Sequence, residues 1–197
     1  MKSCAVFPMA GVLVLLGLCP QAAADSTHGS VTGKVAATPE KYLKDTVVFL
    51  KNVPFTRSPK TVAMDQRAMH FIPHILTITA GDTVRFLNHD SVPHNVFSPE
   101  GGYNLGTFPP GAVRTHTFPK PGVYTQLCTL HPEMIAYVVV GENPFSSVVD
   151  RDGRFDLADV PPGKYVVGVW NPTLKAPERT VTVEAGQKTK VDFSLTR

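Results

Sequence analysis

Interruption is the feature that most limits what this chain can fold into. Eighteen prolines and fifteen glycines are spread through 197 residues. No stretch of roughly 10 to 15 residues keeps an apolar period of 3.6 without meeting one of them. Pro removes a backbone donor and clashes with the preceding turn, and Gly raises the entropic cost of a helix, so long helices are excluded. Period-two and short apolar runs fill the intervals, at 76–79, 83–88, 112–118, 123–127, 136–140, 164–170, 180–184 and 190–195. Between them stand turn signals such as Ala80-Gly81-Asp82, Pro109-Pro110-Gly111 and Pro161-Pro162-Gly163. That rhythm predicts an all-β chain of sandwiches or barrels. With 43% hydrophobic residues, it can fill a core.

The first residues read as a targeting segment. Lys2 precedes an apolar run over 5–18, and the small residues Ala22-Ala23-Ala24 follow. Residues 1–24 are expected to be a signal peptide cleaved after Ala24, which directs the chain to a periplasm or outside the cell. The apolar run contains Pro8 and is too short to span a bilayer, so no membrane span is expected after processing. A lipid anchor at Cys19 is the less favoured reading, because Leu18 stands where lipoprotein signals carry a small residue. The net charge of +3, with no run of five basic residues, gives no nucleic-acid footprint. Of three cysteines, Cys4 and Cys19 would leave with the leader. The remaining Cys128 is then buried and inert, pairs between chains, or does chemistry.

Cys128 lies in the segment Cys128-Thr129-Leu130-His131-Pro132-Glu133-Met134, and Val92-Pro93-His94-Asn95-Val96 stands upstream. Together they offer two imidazoles, a thiolate and a thioether, the donor list of a trigonal copper site with a long axial Met. Thiolate and thioether favour Cu(I), and imidazole suits both oxidation states. The spacing fits a loop between two strand ends, with His94 contributed by a neighbouring strand end. Asn95 is expected to tie its side chain to Thr129 and so hold the ligand loop. In the alternative reading Met134 fills a core and Cys128 is a small buried hydrophobe. His70, His74, His89 and His116 read as surface or structural residues, with His116 facing solvent. Asp150, Asp152 and Gly153 read as a hairpin turn and not as a calcium loop.

On these residues the stretch 61–141 resembles the cupredoxins, most closely the amicyanin or methylamine-utilisation plastocyanin-like type. Met69-His70-Phe71-Ile72-Pro73, Ala80-Gly81-Asp82-Thr83-Val84-Arg85-Phe86 and Pro121-Gly122-Val123-Tyr124 also carry the resemblance. It implies a Greek-key β-sandwich over 61–142 and one type 1 (blue) copper ion held by His94, Cys128, His131 and Met134. It also implies single-electron transfer through an exposed His131, with a c-type cytochrome or an amine dehydrogenase as redox partner. Glu133, where an apolar residue would be expected, and the Gly-rich stretch 98–107 depart from the pattern. Residues 143–197 resemble a carboxypeptidase-regulatory (transthyretin-like) β-sandwich, through Asp152-Gly153-Arg154-Phe155 and Val160-Pro161-Pro162-Gly163-Lys164-Tyr165. Residues 29–55 read like its missing opening strands. The copper domain is therefore expected to be inserted in a sandwich made of 29–60 with 143–197; alternatively, 29–55 add strands to the copper domain. Neither G-x-S-x-G nor H-E-x-x-H occurs, and an enzyme is not expected. Two alternatives to the electron carrier are a periplasmic copper-binding or delivery module and an interaction protein with structural copper.

Overall fold

The described prolines all fall between strands and the β-branched runs fall inside them, whereas Gly33, Gly106 and Gly168 sit within strands. The computed structural model describes residues 27–197, so the expected leader, its cleavage point and Cys19 lie outside the described residues. Two strands come first, β1 (Gly29–Ala37) and β2 (Val47–Lys51), joined through a short 3-10 helix at Glu40–Asp45. Next come β3 (Thr61–Arg67), β4 (His70–Ile72), β5 (Ile75–Thr79), β6 (Thr83–Asn88), β7 (His94–Ser98), β8 (Tyr103–Phe108), β9 (Val113–Thr117), β10 (Gly122–Leu127) and β11 (Ile135–Gly141). The chain closes with β12 (Ser146–Val148), β13 (Arg154–Val160), β14 (Gly163–Trp170), β15 (Arg179–Val183), β16 (Lys188–Lys190) and β17 (Phe193–Leu195).

The middle strands form two sheets, β4-β3-β6-β9 and β5-β11-β10-β7-β8. Alternation sets their faces: in β6, Val84, Phe86 and Asn88 are buried while Arg85 is exposed. The two inner faces meet over one core that includes Met64, Val84 and Phe86 from the first sheet and Ile78, Val96, Phe108 and Val138 from the second. β3 with β6 and β5 with β11 pair parallel, so the chain must cross between sheets before it returns. This is the sandwich expected from the sequence.

A second sandwich is built from the two ends of the described chain. β1 pairs with β13, β16 and β17, and β2 pairs with β12 and β14, to which β15 adds. Its core packs Val31, Val35, Phe155 and Leu157 against Val48, Leu50, Tyr165 and Val167. The single last strand expected over 190–195 is two strands here, β16 and β17. Gly33 gives the reason: a Cβ at that position would stand 1.7 Å from the Val191 carbonyl oxygen, so the chain passes against bare backbone. The Val191 N–H donates to the Thr32 carbonyl, and the Asp192 carboxylate takes the Lys34 N–H, 2.8 Å, in place of a main-chain oxygen. The ladder is therefore broken at those two residues.

The sandwiches meet through a third cluster. Val47, Ile75 and Val139 are buried there, with Phe49, Val123, Tyr137 and Trp170 packed around them. These residues come from the outer faces of β2, β14, β5, β10 and β11; Tyr137 and Trp170 meet edge to face, centroids 5.0 Å apart. The chain crosses between the sandwiches twice, and both crossings are held. At one, the Asn143 side chain donates to the Leu50 carbonyl, 2.9 Å, and accepts the Phe145 N–H, 3.0 Å. At the other, buried Asp82 accepts the Lys60 N–H, the Thr79 N–H and the Arg57 guanidinium. Burial works against the charge on Asp82, but these donors outweigh it and hold its carboxyl below the usual carboxylate range.

Candidate metal centre

The β10–β11 hairpin presents the loop expected to carry ligands. Leu127 pairs with Ile135, so residues 128–134 close the hairpin at one end of the sandwich. β7 runs antiparallel to β10, with Phe97 opposite Leu127. The start of β7 therefore falls beside the loop, which brings His94 to it.

His94, Cys128 and His131 converge there, with one donor atom from each lying within 4.8 Å of the others. The Nδ1 atoms of His94 and His131 are 3.1 Å apart, and Cys128 Sγ is 3.8 Å from His131 Nδ1. Donors bound to one ion at roughly 2.0–2.3 Å stand roughly 3–4 Å apart, so the spacing fits a shared metal. Thiolate with two imidazoles is the in-plane donor set of a copper site. His94 is fully buried and Cys128 is 3% exposed, whereas His131 is half-buried. Met134 is buried in the same core cluster as Cys128, and its N–H donates to the His131 carbonyl, 3.0 Å. Among the described residues, His94, Cys128 and His131 form the one group of three His, Cys, Asp or Glu placed to hold an ion.

Each donor is tied from behind. His94 Nε2 donates to the Asp90 carboxylate, 2.7 Å, which leaves Nδ1 facing the cluster with its lone pair. The N–H of Asn95 points at Cys128 Sγ, 3.4 Å. The Asn95 side chain accepts the Thr129 N–H, 3.3 Å, which is the tie expected from the sequence. It also donates to Asn104, 2.8 Å, and Asn104 accepts the Gly106 N–H. Burial opposes the charge on Asp90, but the Met69 N–H, His94 and the Ala68 N–H outweigh it and keep its carboxyl below the usual range.

Asp90 was not singled out from the sequence, where it reads as part of a polar turn. The available signal was an acidic residue four positions before a candidate ligand. His116 differs from expectation as well. It is half-buried, stacks on Tyr103 with centroids 3.7 Å apart, and burial pushes its pKa down. The 98–107 stretch, odd in composition, folds as the β7–β8 hairpin and supplies that Tyr103. His89 pairs with Asp65, 2.9 Å, and His74 lies 3.5 Å from Asp45. His70 bonds the Ala68 carbonyl, 2.6 Å. None of these three joins the cluster. Asp150 accepts the N–H groups of Asp152 and Arg154, as a hairpin turn does.

Comparison with known proteins agrees with this geometry. Residues 59–141 match the model of copper binding proteins of the plastocyanin/azurin family. Residues 136–196 match the carboxypeptidase regulatory-like domain. Among solved structures, a purple cupredoxin from Nitrosopumilus maritimus is 30% identical, over 40% of this chain and 98% of its own, with a TM-score of 0.38. Amicyanin from Paracoccus versutus is 28% identical, over 46% of this chain and 86% of its own, with a TM-score of 0.37. With one His/Cys/His group sized for one copper ion, residues 59–141 match the plastocyanin/azurin family of copper-binding proteins, and the last third of the chain matches the carboxypeptidase regulatory-like domain.

Proposed function

We propose that this chain is an exported single-electron carrier whose copper would be held by His94, Cys128, His131 and Met134. The observation that carries the proposal is the convergence of two buried donors and one half-exposed imidazole on a single point. When bound, copper supplies a one-electron couple. The protein's part is to fix the donors and to exclude water. Asp90 sets the tautomer and plane of His94, the Asn95 N–H holds Cys128 Sγ in place, and the Asn95–Thr129 bond fixes the loop. Donors held this way shift little when the charge at the site changes. Such fixed ligands favour a retained ion over one handed to another protein.

Around His131 the surface is apolar. Leu130 in the ligand loop is 49% exposed, and Ile135 at the start of β11 and Val92 before His94 are exposed as well. A redox protein docking weakly there would meet His131 first; a c-type cytochrome or an amine dehydrogenase fits this role. Glu133 adds one exposed negative charge to this end, which favours a partner with a cation near its own port. Among the described residues, no helix is long and apolar enough to cross a membrane. We further propose that residues 29–60 and 143–197 form one sandwich that receives 61–142 as an insertion, a reading supported by the pairing of β1 and β2 with the last strands.

The test is copper reconstitution followed by visible absorption and electron paramagnetic resonance, with Cys128→Ala as the control. An intense blue band and narrow copper hyperfine splitting, both lost in Cys128→Ala, are expected. A pale, wide-splitting spectrum that survives Cys128→Ala would overturn the proposal.

A further inference from the structure

Two successive residues at the tip of the β3–β4 hairpin, Ala68 and Met69, sit in left-handed backbone, with φ of 50° and 56°. Residues with a Cβ avoid that region, and two-residue hairpin turns of this hand normally use Asn-Gly. Neither residue suits its place by its own preference, so something else must hold the turn. The donors point to it: the Ala68 N–H gives to Asp90 Oδ1, 2.7 Å, and the Met69 N–H gives to Asp90 Oδ2, 2.8 Å. The oxygen that takes the Met69 N–H also takes the His94 Nε2–H, 2.7 Å. Asp90 is itself anchored, its N–H donating to Asn88 Oδ1, 3.0 Å. Asn88 in turn is fully buried, with its amide on the carbonyls of Val92 and Phe108.

We infer that the Ala68–Met69 turn is a positioning element for His94, acting through Asp90. The dependence runs both ways. The carboxylate keeps two unsuited residues in left-handed backbone, and the two N–H groups of the turn fix the carboxylate where it meets the imidazole. The orientation of a buried donor is thereby set by an exposed hairpin tip, for Met69 is 45% exposed and Ile72 in the same hairpin is 48% exposed. The spectroscopic part of this inference rests on His94 holding copper, as proposed above; the turn–carboxylate part does not.

The test compares five full-length proteins: wild type, Asp90→Asn, the paired turn substitution Ala68→Asn with Met69→Gly, all three changes together, and Met69→Pro. Two quantities are read, the thermal midpoint of the metal-free protein and the copper hyperfine splitting of the loaded protein. The turn substitution supplies residues that accept left-handed backbone and keeps both N–H groups. It is expected to leave the splitting unchanged and the midpoint equal or higher. Asp90→Asn is expected to lower the midpoint and alter the splitting. In the turn-substituted background it should lower the midpoint by less than in the wild type, because that turn no longer depends on the carboxylate. Met69→Pro keeps the carboxylate but removes one N–H and the backbone angle, and it should alter the splitting in the direction Asp90→Asn does. Equal midpoint losses in the two backgrounds, or an unchanged splitting in a folded Met69→Pro protein, would overturn the inference. A wild-type protein with no thiolate–copper band would instead overturn the copper reading, and the metal-free midpoints would still decide whether the carboxylate holds the turn.

Discussion

Met134 is where two readings of one side chain can be separated. It fills the core of the copper domain, being 1% exposed, and it sits three residues after His131 in the ligand loop. Met134→Ala opens a cavity and is expected to cost about 2–5 kcal/mol, whereas Met134→Leu keeps the volume and should cost less than about 1.5 kcal/mol. If the thioether is a copper donor, both variants lose it and both shift the reduction potential in the same direction. Voltammetry and thermal unfolding of the pair settle the matter: a potential unchanged in Met134→Leu leaves Met134 as core alone. At this scale the candidate site was largely legible. Thiolate, thioether and imidazole are rare enough that their types and spacing point to one chemistry. Asp90 was not legible, because its value comes from a hairpin tip about twenty residues upstream in sequence that the fold brings to it. His116 was misplaced as well. Strand alternation puts it on the face of buried Phe118, a cue the sequence reading did not use, and the β7–β8 hairpin brings Tyr103 over its ring.

Among the elements, the segment between β2 and β3 depends on one carboxylate. Asp82 draws Arg57, the Lys60 N–H and the Thr79 N–H to one buried point at the start of β6. Its folded pKa lies below the unfolded value of 3.8, so in acid the unfolded chain binds the extra proton. The stabilisation is complete above that value and is lost as pH falls through the lower folded value. Asp82→Asn should therefore be less stable than wild type at pH 7, with the gap closing towards pH 2 in denaturant titrations. A gap that stays constant with pH would mean that the carboxylate charge does not contribute. The runs read at 76–79, 83–88, 112–118, 123–127, 136–140, 164–170 and 180–184 form strands with ends shifted by a residue or so, whereas β3, β4, β8, β12 and β13 were not read. The division into β16 and β17 was not legible, because the break is set by Gly33 on a distant strand, whose missing side chain lets Val191 come close. The short helix at Glu40–Asp45 was also missed, being too brief to show a period.

For the molecule as a whole, the question is whether the two sandwiches unfold together. The shared cluster around Val47, Ile75 and Val139 and the two held crossings predict one cooperative transition. Trp170 is the chain's one tryptophan and lies in that cluster, so its emission reports the junction directly. Trp170→Phe should keep one transition. Trp170→Ala should cost less than the roughly 3–5 kcal/mol of a fully buried aromatic, since Trp170 is half-buried, and should separate the two melting steps in calorimetry. Two steps already present in the wild type would show that the cluster does not couple the sandwiches. The junction itself could not be read from the sequence, because Tyr137, Val139 and Phe49 look like the solvent-side residues of ordinary alternating strands.

That junction also limits traffic. It covers Val139 and part of Val123 and Tyr137 on the outer face of β10 and β11, and it leaves His131 half-exposed at the loop end. If the chain carries electrons as proposed and His131 is its port, it receives and delivers through the same opening. Its donor and its acceptor must then take turns, each excluding the other while bound, and an excess of either one should slow turnover between them.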